Sequence, residues 1–169
     1  MKWLGSPLNP DIIVDKQQQW KFQWNRLQRW FLHIKDIEQR SEFKEITEHD
    51  IDIFITFFQN CYHLRDWFLV SRPELKEEIN QLFKKNFEMK FCRDICNAFK
   101  HKKLSHYSVD EDFDLYKEYD YFKAQASPNI NPVLYNIAVW NGSERIKYNI
   151  FDLIQKCYNL WEVFIKTNT

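Results

Sequence analysis

Large apolar side chains recur three and four positions apart along most of the chain, a period typical of amphipathic helices. Trp20, Trp24 and Leu27 begin the clearest of these stripes. Thr47 and Asp50 resemble a capping box, which marks the start of a second helix. The pattern predicts helices over residues 16–39, 47–70, 73–85, 87–101 and 151–167.

Between the fourth and the last of these helices the pattern changes to one typical of strands. Residues 113–123 alternate between apolar and polar side chains, and residues 124–132 contain two prolines and predict a loop. Residues 133–140 and 145–149 then flank Asn141-Gly142, a strong signal for a β-hairpin. The sequence therefore predicts a small antiparallel sheet ahead of the closing helix.

Together these elements predict a mainly α fold, a four- or five-helix bundle with a small antiparallel β-hairpin or sheet inserted before the C-terminal helix. The length of 169 residues is typical of one domain, and only two glycines favour long helices over many tight turns. The predicted parts are an irregular N-terminal arm (1–15), a helical bundle (16–104), a β insertion (113–149) and a closing helix (151–167).

Opposite charges balance over the whole chain, with 24 Lys and Arg against 24 Asp and Glu. Such a neutral protein has no overall field that attracts nucleic acid. Residues 84–103 nevertheless carry seven Lys or Arg against Glu88 and Asp94. This stretch is interpreted either as a patch that contacts phosphate groups or as a solvated helix face.

The four cysteines each fall within an apolar helical pattern, which predicts buried free thiols. They are Cys61, Cys92, Cys96 and Cys157. Cys92 and Cys96 are four residues apart, but no second pair completes a zinc site, so no metal or other cofactor is expected. The chain shows no signal peptide and no apolar run long enough for a membrane span, which favours a cytoplasmic protein without membrane contact.

The stretch from Phe91 to Leu104 combines an apolar stripe with polar side chains at helical spacing. Asp94, Asn97 and His101 recur at i, i+3 and i+7, so they share one side of the predicted helix. Arg93, Asn97 and Lys100 form the adjacent row. Arg93, Asn97 and His101 are the candidate catalytic residues, and Asp94 and Lys100 the supporting ones.

The second helix carries a similar polar edge. Asn60 and His63 are three residues apart, and Asp66 follows after three more. If this edge meets the one on the fourth helix, a pocket with two imidazoles and an arginine results. Such a set can cleave RNA without a metal, since an imidazole acts as general acid or base and Arg93 or Lys100 stabilises the developing negative charge.

The segments FFQNCYHLRDWF (57–68) and CRDICNAFKHKKL (92–104) resemble bacterial members of the HEPN superfamily. The HEPN signature is an Arg, often followed by Asn, Asp or His, and then a His after four to six intervening residues. Here Arg93-Asp94 begins the candidate motif, and His101 follows after seven. The resemblance implies a helical bundle that forms a homodimer.

The same resemblance implies a function. Many HEPN proteins are metal-independent ribonucleases of toxin–antitoxin or phage-defence systems. For this chain it implies RNA as a substrate or ligand, and an antitoxin or another defence component as a protein partner.

Two other interpretations remain open. In a non-catalytic interaction or dimerisation module, the two polar edges would form a buried hydrogen-bond network that joins their helices, since buried polar groups need partners. In a small-ligand sensor, a ligand would lie between the bundle and the hairpin, where aromatic side chains permit stacking. An exposed basic cleft would support the ribonuclease, a buried hydrogen-bond network the interaction module, and a deep aromatic pocket the ligand sensor.

Overall fold

Helices dominate the molecule and enclose its core, as the sequence predicts. The computed structural model describes residues 15–98, 113–126, 129–141 and 144–169. Its elements in chain order are α1 (Trp20–Ser41), α2 (Glu48–Ser71), α3 (Lys76–Lys85), α4 (Phe87–Ala98), β1 (Phe113–Tyr119), α5 (Tyr121–Ala126), β2 (Val133–Asn141), β3 (Glu144–Asn149) and α6 (Ile150–Asn168). Within these ranges, five helices form the bundle and α5 belongs to the β insertion.

The predicted capping box at the start of α2 is confirmed. The Asp50 amide donates to the Thr47 hydroxyl at 3.3 Å, and the Thr47 amide donates to the Asp50 carboxylate at 2.7 Å. Arg40 of α1 donates to the other Asp50 oxygen at 2.6 Å. Burial raises the pKa of Asp50, but the hydrogen bonds from Thr47 and Arg40 outweigh it and hold the pKa below its ordinary value. This one carboxylate therefore fixes both the helix start and the contact with α1.

The β insertion is a three-stranded antiparallel sheet in the order β1-β2-β3. Phe113 pairs with Val139 at one end of the first ladder. In the second ladder, Asn141 pairs with Glu144, so β2 includes the Asn of the predicted Asn-Gly turn and the strands are joined by residues 142–143, one position later than predicted. The hairpin prediction is confirmed by this register, although residues 142–143 lie outside the described ranges.

The predicted strand over residues 113–123 is wrong at its end. β1 stops at Tyr119, and the next residues form the short helix α5. Asp120 causes the change, because its carboxylate accepts hydrogen bonds from the amides of Phe122 (3.0 Å) and Lys123 (3.1 Å). A side chain that caps the first amides of a helix favours helix over continued strand.

The core lies around α2, which contacts α1, α4 and α6. Its inward side chains are Phe54, Phe57, Phe58, Cys61, Leu64 and Phe68, all buried. Phe68 stacks between Trp20 (4.6 Å) and Trp161 (5.6 Å). The predicted aromatic stripes are therefore core stripes.

Several contacts fix the insertion to the bundle, and two of them lie at the end of α1 and in the loop that follows it. The Tyr135 hydroxyl accepts a hydrogen bond from the Ile46 amide at 2.9 Å. The Asn131 amide side chain donates to the Ser41 carbonyl at 3.0 Å. The insertion therefore lies against one end of the bundle.

A turn at Asn86 separates α3 from α4, as the sequence predicts. Asn86 leaves the helical conformation, with φ −104° and ψ 121°, and its side chain donates to the Leu82 carbonyl. The turn redirects the chain so that α4 packs along α2. None of the helices in the described ranges is both long enough and apolar enough to cross a membrane.

Candidate functional site

Three helices surround an open pocket of about 260 Å³ on the surface of the bundle. Seven side chains line it, from α2, α3 and α4: Tyr62, Arg65, Asn80, Phe83, Lys84, Lys90 and Arg93. Four of these seven are Lys or Arg, and none of the seven is a carboxylate. We call this site the basic pocket.

Helical spacing explains how α2 and α4 each supply two neighbouring side chains. Tyr62 and Arg65 are three residues apart on α2, and Lys90 and Arg93 are three apart on α4. Residues at this spacing share one helical face. The turn at Asn86 then brings the α4 face and the α2 face to the same pocket.

Each arginine of the basic pocket forms an ion pair with the carboxylate that follows it in sequence. Arg93 Nε lies 3.4 Å from Asp94 Oδ1, and Arg65 Nη1 lies 3.2 Å from Asp66 Oδ1. The Asp94 side chain is only 1% exposed, whereas that of Arg93 is 35% exposed. Since a guanidinium carries five N–H donors, a pair through Nε leaves its Nη groups outside that contact. Asp94 thus anchors the buried side of an arginine whose other side faces the pocket.

Tyr62 supplies a neutral hydroxyl to the same pocket. Burial raises its pKa above the ordinary value, and the charge of Asp66 raises it further, against the opposing charges of Arg65 and Arg93. The phenol therefore stays protonated at neutral pH and can donate a hydrogen bond. Its ring meets Phe83 edge to face at 5.8 Å, which gives the pocket an apolar wall.

The structure places several of the predicted site residues in or near the basic pocket. Arg93 lines it, with Asp94 directly behind. Asp66 is exposed beside Arg65. His63 and Asn97 are both half-buried, and the His63 ring lies 6.4 Å from that of Tyr62. The predicted residues Lys100 and His101 lie outside the described ranges.

Asn60 belongs to a different part of the molecule. Its carboxamide oxygen accepts a hydrogen bond from Gln23 of α1 at 3.0 Å, and its nitrogen donates to the Thr56 carbonyl at 2.7 Å. Gln23, only 1% exposed, in turn accepts from Arg26 at 3.2 Å. Asn60 therefore joins α2 to α1, away from the lining of the basic pocket.

Sequence reasoning missed part of the pocket. It identified Lys84 and Lys90 only as members of a basic stretch, and it did not single out Tyr62 or Arg65. The available signal was the three-residue spacing of Tyr62 and Arg65 beside the predicted polar edge of α2. That signal becomes specific only once the packing of α4 along α2 is known.

A larger pocket of about 440 Å³ lies where the sheet meets α1 and α6. Its lining carries four carboxylates and two lysines. Glu118 accepts hydrogen bonds from Asn136 and from Lys147, each at 2.8 Å. This is the region that the ligand-sensor interpretation requires, but its excess of carboxylates does not favour an anion as the basic pocket does.

All four cysteines are free and buried, as predicted. Three of them converge, because the Sγ atoms of Cys61, Cys92 and Cys157 lie within 4.8 Å of one another. Burial raises the pKa of the Cys61 thiol, but hydrogen bonds from Cys157, Cys92 and Trp161 outweigh it and lower the pKa to about 5. The pKa values of Cys92 and Cys157 are raised, the first mainly by burial and the second mainly by its hydrogen bond to Cys61. We call these three residues the thiol cluster.

Comparison of the chain with family models, with curated proteins and with solved structures finds no match. The resemblance to the HEPN superfamily therefore stays a prediction.

Proposed function

We propose that this protein binds RNA at the basic pocket, with a backbone phosphate held between Arg65 and Arg93. The observation that carries the proposal is the lining itself, four cations and a neutral phenol without a carboxylate among the seven side chains. Hydrogen bonds between guanidinium groups and phosphate are charge-assisted and about twice as strong as neutral ones. Arg93 is already anchored by a buried carboxylate, which lowers the cost of ordering it on binding.

Single-stranded RNA suits the shape of the pocket better than a duplex does. The pocket is a local surface feature between three helices, and the chain as a whole carries no net charge. Single strands are bound by a short track of cations beside aromatic surfaces, here Tyr62 and Phe83. The logarithm of the affinity should fall with that of the salt concentration, with a slope of about −0.7 for each phosphate that the cations of the pocket neutralise.

We extend the proposal to a HEPN-like ribonuclease that acts without a metal. The observation that favours cleavage is the position of Arg93, the first residue of the candidate motif, inside the pocket proposed to hold the phosphate. There it would stabilise the charge that develops on the phosphate during attack by the ribose 2′-hydroxyl. His101, by its place in the motif, would act as the general acid or base. The proposal includes a homodimer and, as a protein partner, an antitoxin or another defence component.

Binding is tested by fluorescence anisotropy with a short labelled single-stranded RNA of mixed sequence. Arg93→Gln should weaken binding by at least about tenfold, since it removes a charge-assisted contact worth over 1 kcal/mol. Arg29→Gln is the matched control, because Arg29 is an exposed arginine of α1 away from the pocket. Equal losses in the two variants would show that binding is not located at the basic pocket.

Cleavage is tested separately, with the same RNA in the presence of EDTA. Products from the wild type that disappear in His101→Ala, with both proteins equally helical by circular dichroism, would support the ribonuclease. Binding without cleavage would leave the RNA-binding proposal in place and remove the enzymatic one. Light scattering after size exclusion tests the homodimer, and a monomeric mass would contradict it.

A further inference from the structure

The thiol cluster brings together three cysteines that are far apart in sequence. Cys61 comes from α2, Cys92 from α4 and Cys157 from α6, and each is fully buried. Their three Sγ atoms lie within 4.8 Å of one another at the junction of these helices. Cys96, the fourth buried cysteine, does not belong to this group. Packing alone needs small apolar side chains here, but it does not need three sulfurs at one point.

The spacing of the sulfurs suits a shared metal ion. A metal–sulfur bond is about 2.3 Å long for zinc, and three such bonds in a plane place the sulfurs about 4 Å apart. Only a small contraction of the cluster is therefore needed for one ion to contact all three atoms. We propose that Cys61, Cys92 and Cys157 form a three-sulfur site for Cu(I).

The donor set decides which ion this is. Soft thiolate ligands select Cu(I), zinc or iron–sulfur clusters, whereas harder ions prefer oxygen or nitrogen. Structural zinc takes four ligands, and in the described part of the chain no histidine, carboxylate or fourth thiol joins the group. Cu(I), a soft ion that accepts three sulfur ligands, therefore fits this site best.

Before an ion binds, backbone carbonyls orient two of the three sulfurs. The Cys92 thiol donates to the Phe58 carbonyl and the Cys157 thiol donates to the Glu88 carbonyl, each at 3.5 Å. On the third side, Trp161 donates from its indole nitrogen to the Cys61 carbonyl at 3.0 Å. Binding forms three copper–sulfur bonds, releases to solvent the protons of the thiols that ionise, and changes the oxidation state of neither copper nor sulfur.

Cu(I) would therefore join three helices of the bundle and stabilise the folded chain, because an ion that binds only the native state raises its stability. The test is an anaerobic titration of the full chain with Cu(I) against a chromophoric Cu(I) chelator. We expect one ion per chain and a higher melting temperature for the loaded protein. Cys92→Ala and Cys157→Ala should each lose at least about tenfold in affinity.

Cys96→Ala is the matched control, since it removes a buried thiol from the same helix as Cys92 but not from the cluster. A loss of affinity in this control equal to that in Cys92→Ala would overturn the proposal, as would loss of helical circular dichroism on binding. Zn(II) should bind more weakly, and equal binding of Zn(II) would also reject the assignment. If the cluster variants fail to fold, X-ray absorption of the loaded wild type decides, because fewer than three sulfur ligands would contradict the site.

Discussion

The basic pocket and the thiol cluster are built from the same two helices, yet they differ in almost every physical respect. Cys61 and Tyr62 are neighbours on α2, and Cys92 and Arg93 are neighbours on α4. In each pair, the cysteine is fully buried and its neighbour reaches the surface pocket. The inward residues are held by packing and by carbonyl groups, whereas the pocket residues are held by ion pairs and solvent. Pocket residues whose partners are exposed, such as Arg65, can therefore change without cost to the fold, but residues of the inward face cannot.

The sharpest test of this contrast is Trp161→Ala. Trp161 has no exposed surface, stacks on Phe68 and donates to the Cys61 carbonyl. Its truncation should lower the free energy of unfolding by about 3–5 kcal/mol, through lost burial and the cavity that remains. Urea unfolding measures this loss. Val163→Ala, at a 62% exposed position of the same helix, should change it by less than about 0.5 kcal/mol.

The second test concerns a buried charge of the inward face. Asp50→Ala should cost about 2–3 kcal/mol, because it removes the α2 capping box and leaves Arg40 without its carboxylate. Asp52→Ala, at an exposed carboxylate of the same helix, is the control and should stay within about 0.5 kcal/mol. Urea midpoints of the two variants decide, and similar losses would contradict the special role of Asp50.

The pH dependence of this effect has a defined sign. The pKa of Asp50 is lower in the folded chain than in the unfolded one, where it is about 3.9. Its contribution is therefore complete above about pH 5 and declines as the pH falls through the lower, folded value. The difference in stability between wild type and Asp50→Asn should shrink accordingly on acidification. A difference that is constant down to pH 2 would reject the ion pair as its cause.

The third test changes a residue of the basic pocket, where we expect a large effect on RNA binding and a small effect on stability. Arg65→Gln should weaken RNA binding by at least about tenfold yet change the free energy of unfolding by less than about 0.5 kcal/mol, because its partner Asp66 is 58% exposed. Anisotropy and urea unfolding on the same preparation measure the two effects, and a large loss of stability would contradict this expectation. Arg93→Gln should cost more stability, since it removes the guanidinium from the buried Asp94 carboxylate.

The smallest effect is expected for Tyr62→Phe. It removes one neutral hydrogen-bond donor and keeps the ring that meets Phe83, so RNA affinity should fall by about two- to fivefold. Anisotropy at pH 7 measures this change, since the raised pKa keeps the wild-type phenol protonated there. Unchanged affinity would remove Tyr62 from the binding site and leave only the cations.

Local sequence signals predicted most of the fold. The apolar period gave the bundle helices, Thr47 and Asp50 marked the start of α2, and Asn-Gly located the hairpin. The error after Tyr119 arose because the alternation of aromatic residues continues through the cap residue Asp120. A single capping side chain outweighed a pattern of period two.

The candidate site was predictable only in part, because it depends on how helices meet. Arg93 was identified from its own helix, whereas the approach of Arg65 to it requires the turn at Asn86. Asn60 was grouped with Asp66 on one polar edge of α2, but it contacts Gln23 of α1. The spacing of residues along a helix does not tell which neighbouring helix each of its faces will contact. The thiol cluster gave no local signal at all, because its members lie on three separate helices.

The hydrogen bond between Ile46 and the Tyr135 hydroxyl has a consequence for the order of folding. It joins residues 89 positions apart. Closing a flexible loop of that length costs about 4 kcal/mol in chain entropy, before any contact compensates for it. Bundle contacts between sequential helices close far shorter loops and should form earlier. The Ile46 amide, measured by hydrogen exchange during refolding, would thus become protected only when the sheet docks, later than the amides within α1 and α2.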